Sequence, residues 1–134
     1  MEIRLYKNED YSQVVDLYKQ TKLYGGQFDE NRDSQEKLKL KKDSILIAEE
    51  KNKIIGTVSL IEDGRVAWLF RFCVVDNNEE VAKKLFDKAK EIFKSKGHNQ
   101  VLVYSPLKNK VLDGRYSRLG FKKGNDYTCF WEDI

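Results

Sequence analysis

The sequence predicts an α/β (α+β) fold, a mixed central sheet built around one strand–helix–strand unit. Three observations predict it. Residues 66–75 are apolar at nearly every position, with Val66, Trp68, Phe70, Phe72 and Val74 on one face and Ala67, Leu69, Arg71, Cys73 and Val75 on the other. A strand of that kind is covered on both sides. After a polar loop at 76–80, Val81, Ala82, Leu85, Phe86, Ala89, Ile92 and Phe93 recur at steps of three and four. This is an amphipathic helix running to Lys96, with Gly97 where a left-handed C-cap belongs. A second apolar run, 101–104, follows a short connection, and a crossover of that length makes the two strands parallel. Ligands of such units gather at the C-terminal strand ends, beside the helix N-terminus, so loop 76–80 is the first place to look for function.

The other elements follow in chain order. Residues 2–6 alternate enough for a first strand. Asn8 is placed to cap a helix whose first turn carries Glu9 and Asp10, favourable against the helix dipole. Tyr11, Val14, Val15, Leu17 and Tyr18 form its apolar stripe, and Gly25-Gly26 breaks it. Residues 29–42 are strongly polar, with Leu38 and Leu40 the only aliphatics, and read as a surface helix. Strands at 44–49 and 54–61 are joined by Lys51-Asn52-Lys53, and Asp63-Gly64 is a hairpin signal leading into the central strand. Pro106 ends the strand at 101–104, and 109–119 is a short helix stopped by Gly120. Residues 121–123 and 127–131 make a last hairpin around Gly124-Asn125-Asp126. With no repeat, low-complexity tract or linker, the expectation is one domain over 1–134.

Composition excludes several function classes. The chain has 134 residues, 40% hydrophobic and 35% charged, ordinary proportions for a globular protein. Its net charge of +3 comes from 25 basic residues interspersed with 22 acidic ones. Without a basic stripe, a nucleic-acid-binding module is disfavoured. No apolar run approaches about 18 residues and the N-terminus lacks a signal-peptide pattern, so the expectation is a cytoplasmic protein with no membrane contact. Cys73 and Cys129 fall inside predicted strands and read as buried free thiols. With His98 as the one histidine, read as a solvent-exposed loop residue, no metal site is expected.

Two stretches carry a family resemblance. One is Arg71-Phe72-Cys73-Val74, a loop, then Val81-Ala82-Lys83-Lys84-Leu85; the other is Asn109 ahead of Tyr116-Ser117-Arg118-Leu119-Gly120-Phe121. Together with the element order, they resemble the GNAT (N-acetyltransferase) superfamily over essentially the whole chain. The resemblance implies transfer of an acetyl group from acetyl-coenzyme A to a primary amine by direct attack in a ternary complex. It implies that the backbone of Phe72, Cys73 and Val74 pairs with the pantetheine arm. Asn77, Asn78, Val81, Ala82 and Lys83 would form the pyrophosphate loop and helix start, Asn109 would contact the cofactor arm, and Tyr116 would protonate the departing thiolate. Tyr24, Gly25, Gly26 and Phe28 lie where the family builds part of the acceptor pocket, though a plain turn explains them equally.

The loop departs from the family's Arg/Gln-x-x-Gly-x-Gly/Ala pattern. Aligned from the helix, Asn78 and Glu80 take two glycine positions and Ala82 the third; anchored on the strand, the loop is shorter than usual. Side chains at those positions block amides that must converge on phosphate. Glu79 and Glu80 add repulsion that Lys83 and Lys84 offset in part. Asp76-x-x-Glu79 also reads as a capping box, a plain helix start. Two readings therefore stand: an acetyltransferase, or a degenerate member that binds a protein partner. Nothing near Cys73 would lower its pKa, so it is a poor nucleophile. The general base is open among Glu49, Glu50, Tyr104 and a water chain. The acceptor is open too, as is the choice between a monomer and a homodimer formed through the 127–131 edge.

Overall fold

The computed structural model describes residues 1–21 and 43–134; the readings made for 23–28 and 29–42 lie outside them. Two compact units result, Met1–Val103 and Tyr104–Ile134. The first contains β1 (Glu2–Leu5), α1 (Tyr11–Gln20), β2 (Ile45–Glu50), β3 (Lys53–Glu62), β4 (Ala67–Val74) and α2 (Glu79–Ser95). Its strands form one sheet in the order β1-β2-β3-β4, every neighbouring pair antiparallel. Lys51 and Asn52, with φ of 50° and 63°, supply the two left-handed residues of a tight β2–β3 turn.

Register settles which residues share a face. Ile47, Thr57 and Cys73 oppose one another across β2, β3 and β4, as do Ala48, Gly56 and Val74 one step along. The first row faces α1, where Val14, Leu17 and Tyr18 pack with Ile45, Ile47, Ile54 and Cys73. The second row faces α2. A Cβ built on Gly56 would lie 3.0 Å from both Leu85 Cδ1 and Val81 Cγ1, so glycine is what lets α2 close on the sheet. Val81, Leu85, Phe86, Ala89 and Phe93 are the buried stripe of α2, all members of the sequence periodicity.

The strand read over 101–104 is reduced to one parallel bridge, Trp68 with Leu102. Its direction is the one the crossover requires. The start of α1 is also set differently from the expectation. Asn8–Asp10 is a short 3-10 turn, the N-cap position of α1 falls to Asp10, and its Oδ2 accepts the Lys7 N–H at 2.7 Å. Arg4 clamps the same carboxylate through Nη1 and Nη2 at 2.7 and 2.9 Å, and reaches Glu49 through Nε at 3.0 Å. Burial pushes the Asp10 carboxyl up, but Arg4 and the Lys7 amide outweigh it and hold it below the ordinary value.

His98 is not the exposed loop residue expected. Its side chain is 5% exposed, with Nε2 3.0 Å from Glu62 Oε2 and the ring edge-on to Phe93. The cause is the end of α2. Gly97, at φ 87°, and His98 return their N–H groups to Lys94 and Phe93, a Schellman cap whose closing contact is the His98–Phe93 pair.

The second unit holds α3 (Lys110–Arg118). Residues 121–123 and 127–131 form no strands among the described residues, and Tyr127 and Phe130 are exposed. Alternation specifies a strand only where one face finds a surface to bury against. Cys129 is accordingly exposed, not buried, whereas Cys73 is buried. No described helix is long and apolar enough to cross a membrane.

Candidate active site

β4 carries the feature that sequence reading missed. Between Ser59↔Phe70 and Thr57↔Cys73, β3 advances two residues while β4 advances three. The extra residue is a β-bulge, and Arg71 sits in it at φ 47°. Left-handed backbone at a non-glycine residue costs roughly 1–2 kcal/mol. The bulge reverses the alternation, so Cys73 joins the face of Phe70 and Val74 that of Leu69, against strict alternation.

The same shift re-aims the main chain. Leu60 N–H bonds to Ser44 C=O, so the even residues of β3 face β2 and Ser59 and Thr57 face β4. Phe70 and Cys73 therefore turn their peptide groups toward β3. Phe72 and Val74, on either side of Cys73, direct theirs to the opposite edge. Leu69 N–H and Ala67 C=O bond Leu102 on that edge, both at 2.9 Å. Among the described residues of this unit, the pairing of that edge is the Leu102 bridge alone, well before Phe72. Of the three residues expected to line an arm, Phe72 and Val74 thus face the edge. Cys73 faces Thr57, and burial pushes its thiol up to about 12, which rules out a resting thiolate.

The loop after β4 makes a second turn of backbone. Asp76 and Asn77, at φ 51° and 53°, are consecutive left-handed residues that lead into α2. Asn78 is the N-cap. Its Oδ1 accepts from Glu80 N–H at 3.1 Å and Val81 N–H at 3.2 Å, so the capping oxygen is not that of Asp76. Ala82 N–H bonds Asn78 C=O at 3.0 Å, closing the first helical turn. Lys84 pairs with Glu80 at 3.1 Å and so balances the acidic first turn in part, whereas Lys83 pairs with Asp87 a turn further along. The geometry suits an anion at the helix start only once Asn78 Oδ1 has moved off the two amides it occupies.

In the second unit, Asn109 and Tyr116 mark opposite ends of α3. Asn109 is its N-cap, with Oδ1 accepting from Leu112 N–H at 3.0 Å. Gly120 at φ 99° and Phe121 return their N–H groups to Ser117 and Tyr116, both at 3.0 Å. The rings of Tyr116 and Phe121 meet edge-on, 5.6 Å between centroids. Tyr-x-x-x-Gly-Phe is thus a complete Schellman cap with its closing apolar contact. That cap uses the Tyr116 ring and leaves the hydroxyl to other work. Burial pushes the phenol above its ordinary value, so it stays protonated through neutral and mildly alkaline pH.

Glu49 is a weak candidate base, because its bond to Arg4 holds it below the ordinary carboxylate value. Tyr104 is exposed. Tyr24, Gly25, Gly26 and Phe28 lie outside the described residues.

A bulged strand, followed by a left-handed loop and a helix N-terminus, gathers main-chain groups at one end of the sheet. The sequence matches the Acetyltransferase (GNAT) family over residues 11–121, and the chain belongs to that family. It is accordingly an acyltransferase, of a family whose acyl donor is acetyl-coenzyme A. Solved structures agree on the fold. The aminoglycoside 6′-N-acetyltransferase AAC(6′)-Ig from Acinetobacter haemolyticus superposes with TM-score 0.79 at 18% identity, covering 100% of this chain and 99% of that one. AAC(6′)-Ih from Acinetobacter baumannii gives 0.75 at 16%, with 99% and 98% covered. The aminoglycoside N-acetyltransferase AAC(6′)-Iy in complex with CoA gives 0.77 at 18%, with 99% and 100% covered.

Proposed function

We propose that this chain moves an acetyl group from acetyl-coenzyme A to the primary amine of a small molecule, by direct attack of the amine. The observation that carries the reading is the bulge at Arg71, which directs the peptide groups of Phe72 and Val74 to an edge whose pairing, among the described residues of the first unit, is the Leu102 bridge. Those groups would hold the pantetheine arm, and an N–H there would polarise the acyl carbonyl. Asn77, Asn78, Val81, Ala82 and Lys83 would receive the pyrophosphate, and Asn109 would contact the arm. Bound acetyl-coenzyme A supplies an acetyl group already activated as a thioester, with a thiol to leave. Tyr116 would protonate that sulfur, and burial, which raises the phenol's pKa, would keep its proton in place at neutral pH. We place the reaction in the cytoplasm, in a single catalytic domain acting as monomer or homodimer. Aminoglycosides are the first acceptors to try, because the structural neighbours are enzymes of that description.

One observation favours the second reading, a degenerate member that binds a protein partner. Asn78 Oδ1 already occupies the amides of Glu80 and Val81. Thermal unfolding with acetyl-coenzyme A separates the two. A ligand at about 100 times its Kd stabilises the folded state by roughly 2.7 kcal/mol. A clear shift, followed by thiol release with an amine from a panel that includes aminoglycosides, is the expected result. An unchanged melting curve at millimolar cofactor favours the partner-binding reading.

A further inference from the structure

We infer that Arg71 is a positioning residue whose side chain selects the bulged register of β4 and so keeps the main chain of Phe72 and Val74 aimed at the edge that bears the Leu102 bridge. The inference rests on the donor reading above for its consequence, but the register it concerns exists without ligand.

The alternative is a β4 paired with β3 without the extra residue. Phe72 would then oppose Thr57, its peptide groups would turn inward, and Cys73 would take the edge. Sequence alternation alone favours that arrangement, and it removes the left-handed residue. The Arg71 side chain decides against it. In the bulge, its guanidinium is buried on the α1 face, with Cζ 4.7 Å from the centroid of Tyr18 and 5.7 Å from that of Phe70. Both rings offer their π-faces to a cation. Tyr18 is fully buried and is held by the α1 cluster of Val14 and Leu17. Without the bulge, alternation carries residue 71 to the face of Leu69 and Val58, where Val81 and Leu85 of α2 close on Gly56. A guanidinium moved among those aliphatic groups loses the Tyr18 and Phe70 faces and stays cut off from water. The same charge that is welcome on one face is excluded from the other, so Arg71 discriminates between registers as an apolar residue cannot.

The test compares wild type with Arg71→Met, Arg71→Lys and Tyr18→Leu. Methionine has similar reach but is content on either face; lysine retains the charge. Each protein is titrated calorimetrically with acetyl-coenzyme A and, separately, with adenosine 3′,5′-bisphosphate, which lacks the pantetheine arm. Arg71→Met is expected to weaken acetyl-coenzyme A about tenfold and the bisphosphate by less than about twofold, with Arg71→Lys restoring most of the loss. If Arg71→Met does not fold, Tyr18→Leu, which removes the ring and leaves the sequence of β4 unchanged, should show the same split. Acetyl-coenzyme A affinity within about twofold of wild type, or equal loss for both ligands, overturns the inference. A wild type that binds neither ligand removes the donor reading instead. Cross-strand contacts in the ligand-free NMR spectra then decide about Arg71. A Thr57–Phe72 contact replacing Thr57–Cys73 in Arg71→Met supports the inference, and an unchanged Thr57–Cys73 contact overturns it.

Discussion

Replacing Asn78 by alanine should move stability and cofactor affinity in opposite directions. Asn78 Oδ1 satisfies the N–H groups of Glu80 and Val81, and removing such a cap costs about 1 kcal/mol, within roughly 0.5–2. At φ −61° and ψ 109°, alanine fits the backbone without strain, so loss of the cap is the whole perturbation. For a chain of this size, the melting temperature should fall by roughly 3–5 °C. If phosphate binds these amides, it must first displace Oδ1, and the wild type forfeits its cap on binding. The variant has none to forfeit. Its affinity should then rise by the same free energy, about fivefold for 1 kcal/mol. Under saturating cofactor, the two proteins should melt together, because phosphate caps both. Scanning fluorimetry with and without acetyl-coenzyme A, and calorimetric Kd values, supply all four corners of that cycle. Glu80→Gln is the control for charge: any gain it gives should shrink as salt rises, whereas the Asn78→Ala gain should depend on salt no more than wild-type binding does. A variant that melts lower and binds no better refutes the reasoning and leaves the loop as a helix cap alone.

Two further outcomes follow from the site. Tyr116→Phe keeps the ring contact with Phe121, so melting should be unchanged while kcat falls about 10²- to 10⁴-fold with little change in cofactor Kd. Because the folded-state pKa is raised, the wild-type alkaline limb set by this phenol should lie above pH 10, and activity within about twofold of wild type would remove Tyr116 from the mechanism. The two thiols should separate under a disulfide reagent at pH 8: exposed Cys129 reacts at once, and buried Cys73 only on unfolding. Burial raises Cys73 from 9.0 to about 12, so its share of stability is complete below pH 9 and is lost as pH climbs toward 12. Prompt reaction of both thiols in the native protein would contradict the burial of Cys73.

The sequence by itself determined the features written in local spacing. The apolar steps from Val81 to Phe93 dictate α2, because 3.6-residue periodicity is a property of the chain alone. Gly97 and Gly120 mark two helix ends for the same reason: glycine takes the left-handed cap at no steric cost, whatever surrounds it. Tyr116 and Phe121 were legible as a pair, although their spacing has a structural cause as complete as the functional one. Only tertiary structure decided the rest. Which oxygen caps α2 depends on Asp76 and Asn77 both turning left-handed, and an Asp-Asn-Asn run allows either choice. His98 is covered because Glu62, at the end of a strand remote in sequence, meets it. The bulge at Arg71 is the clearest case. Alternation along β4 is a local rule, whereas register is set against β3, Tyr18 and α2 together, and no run of residues 66–75 contains that information.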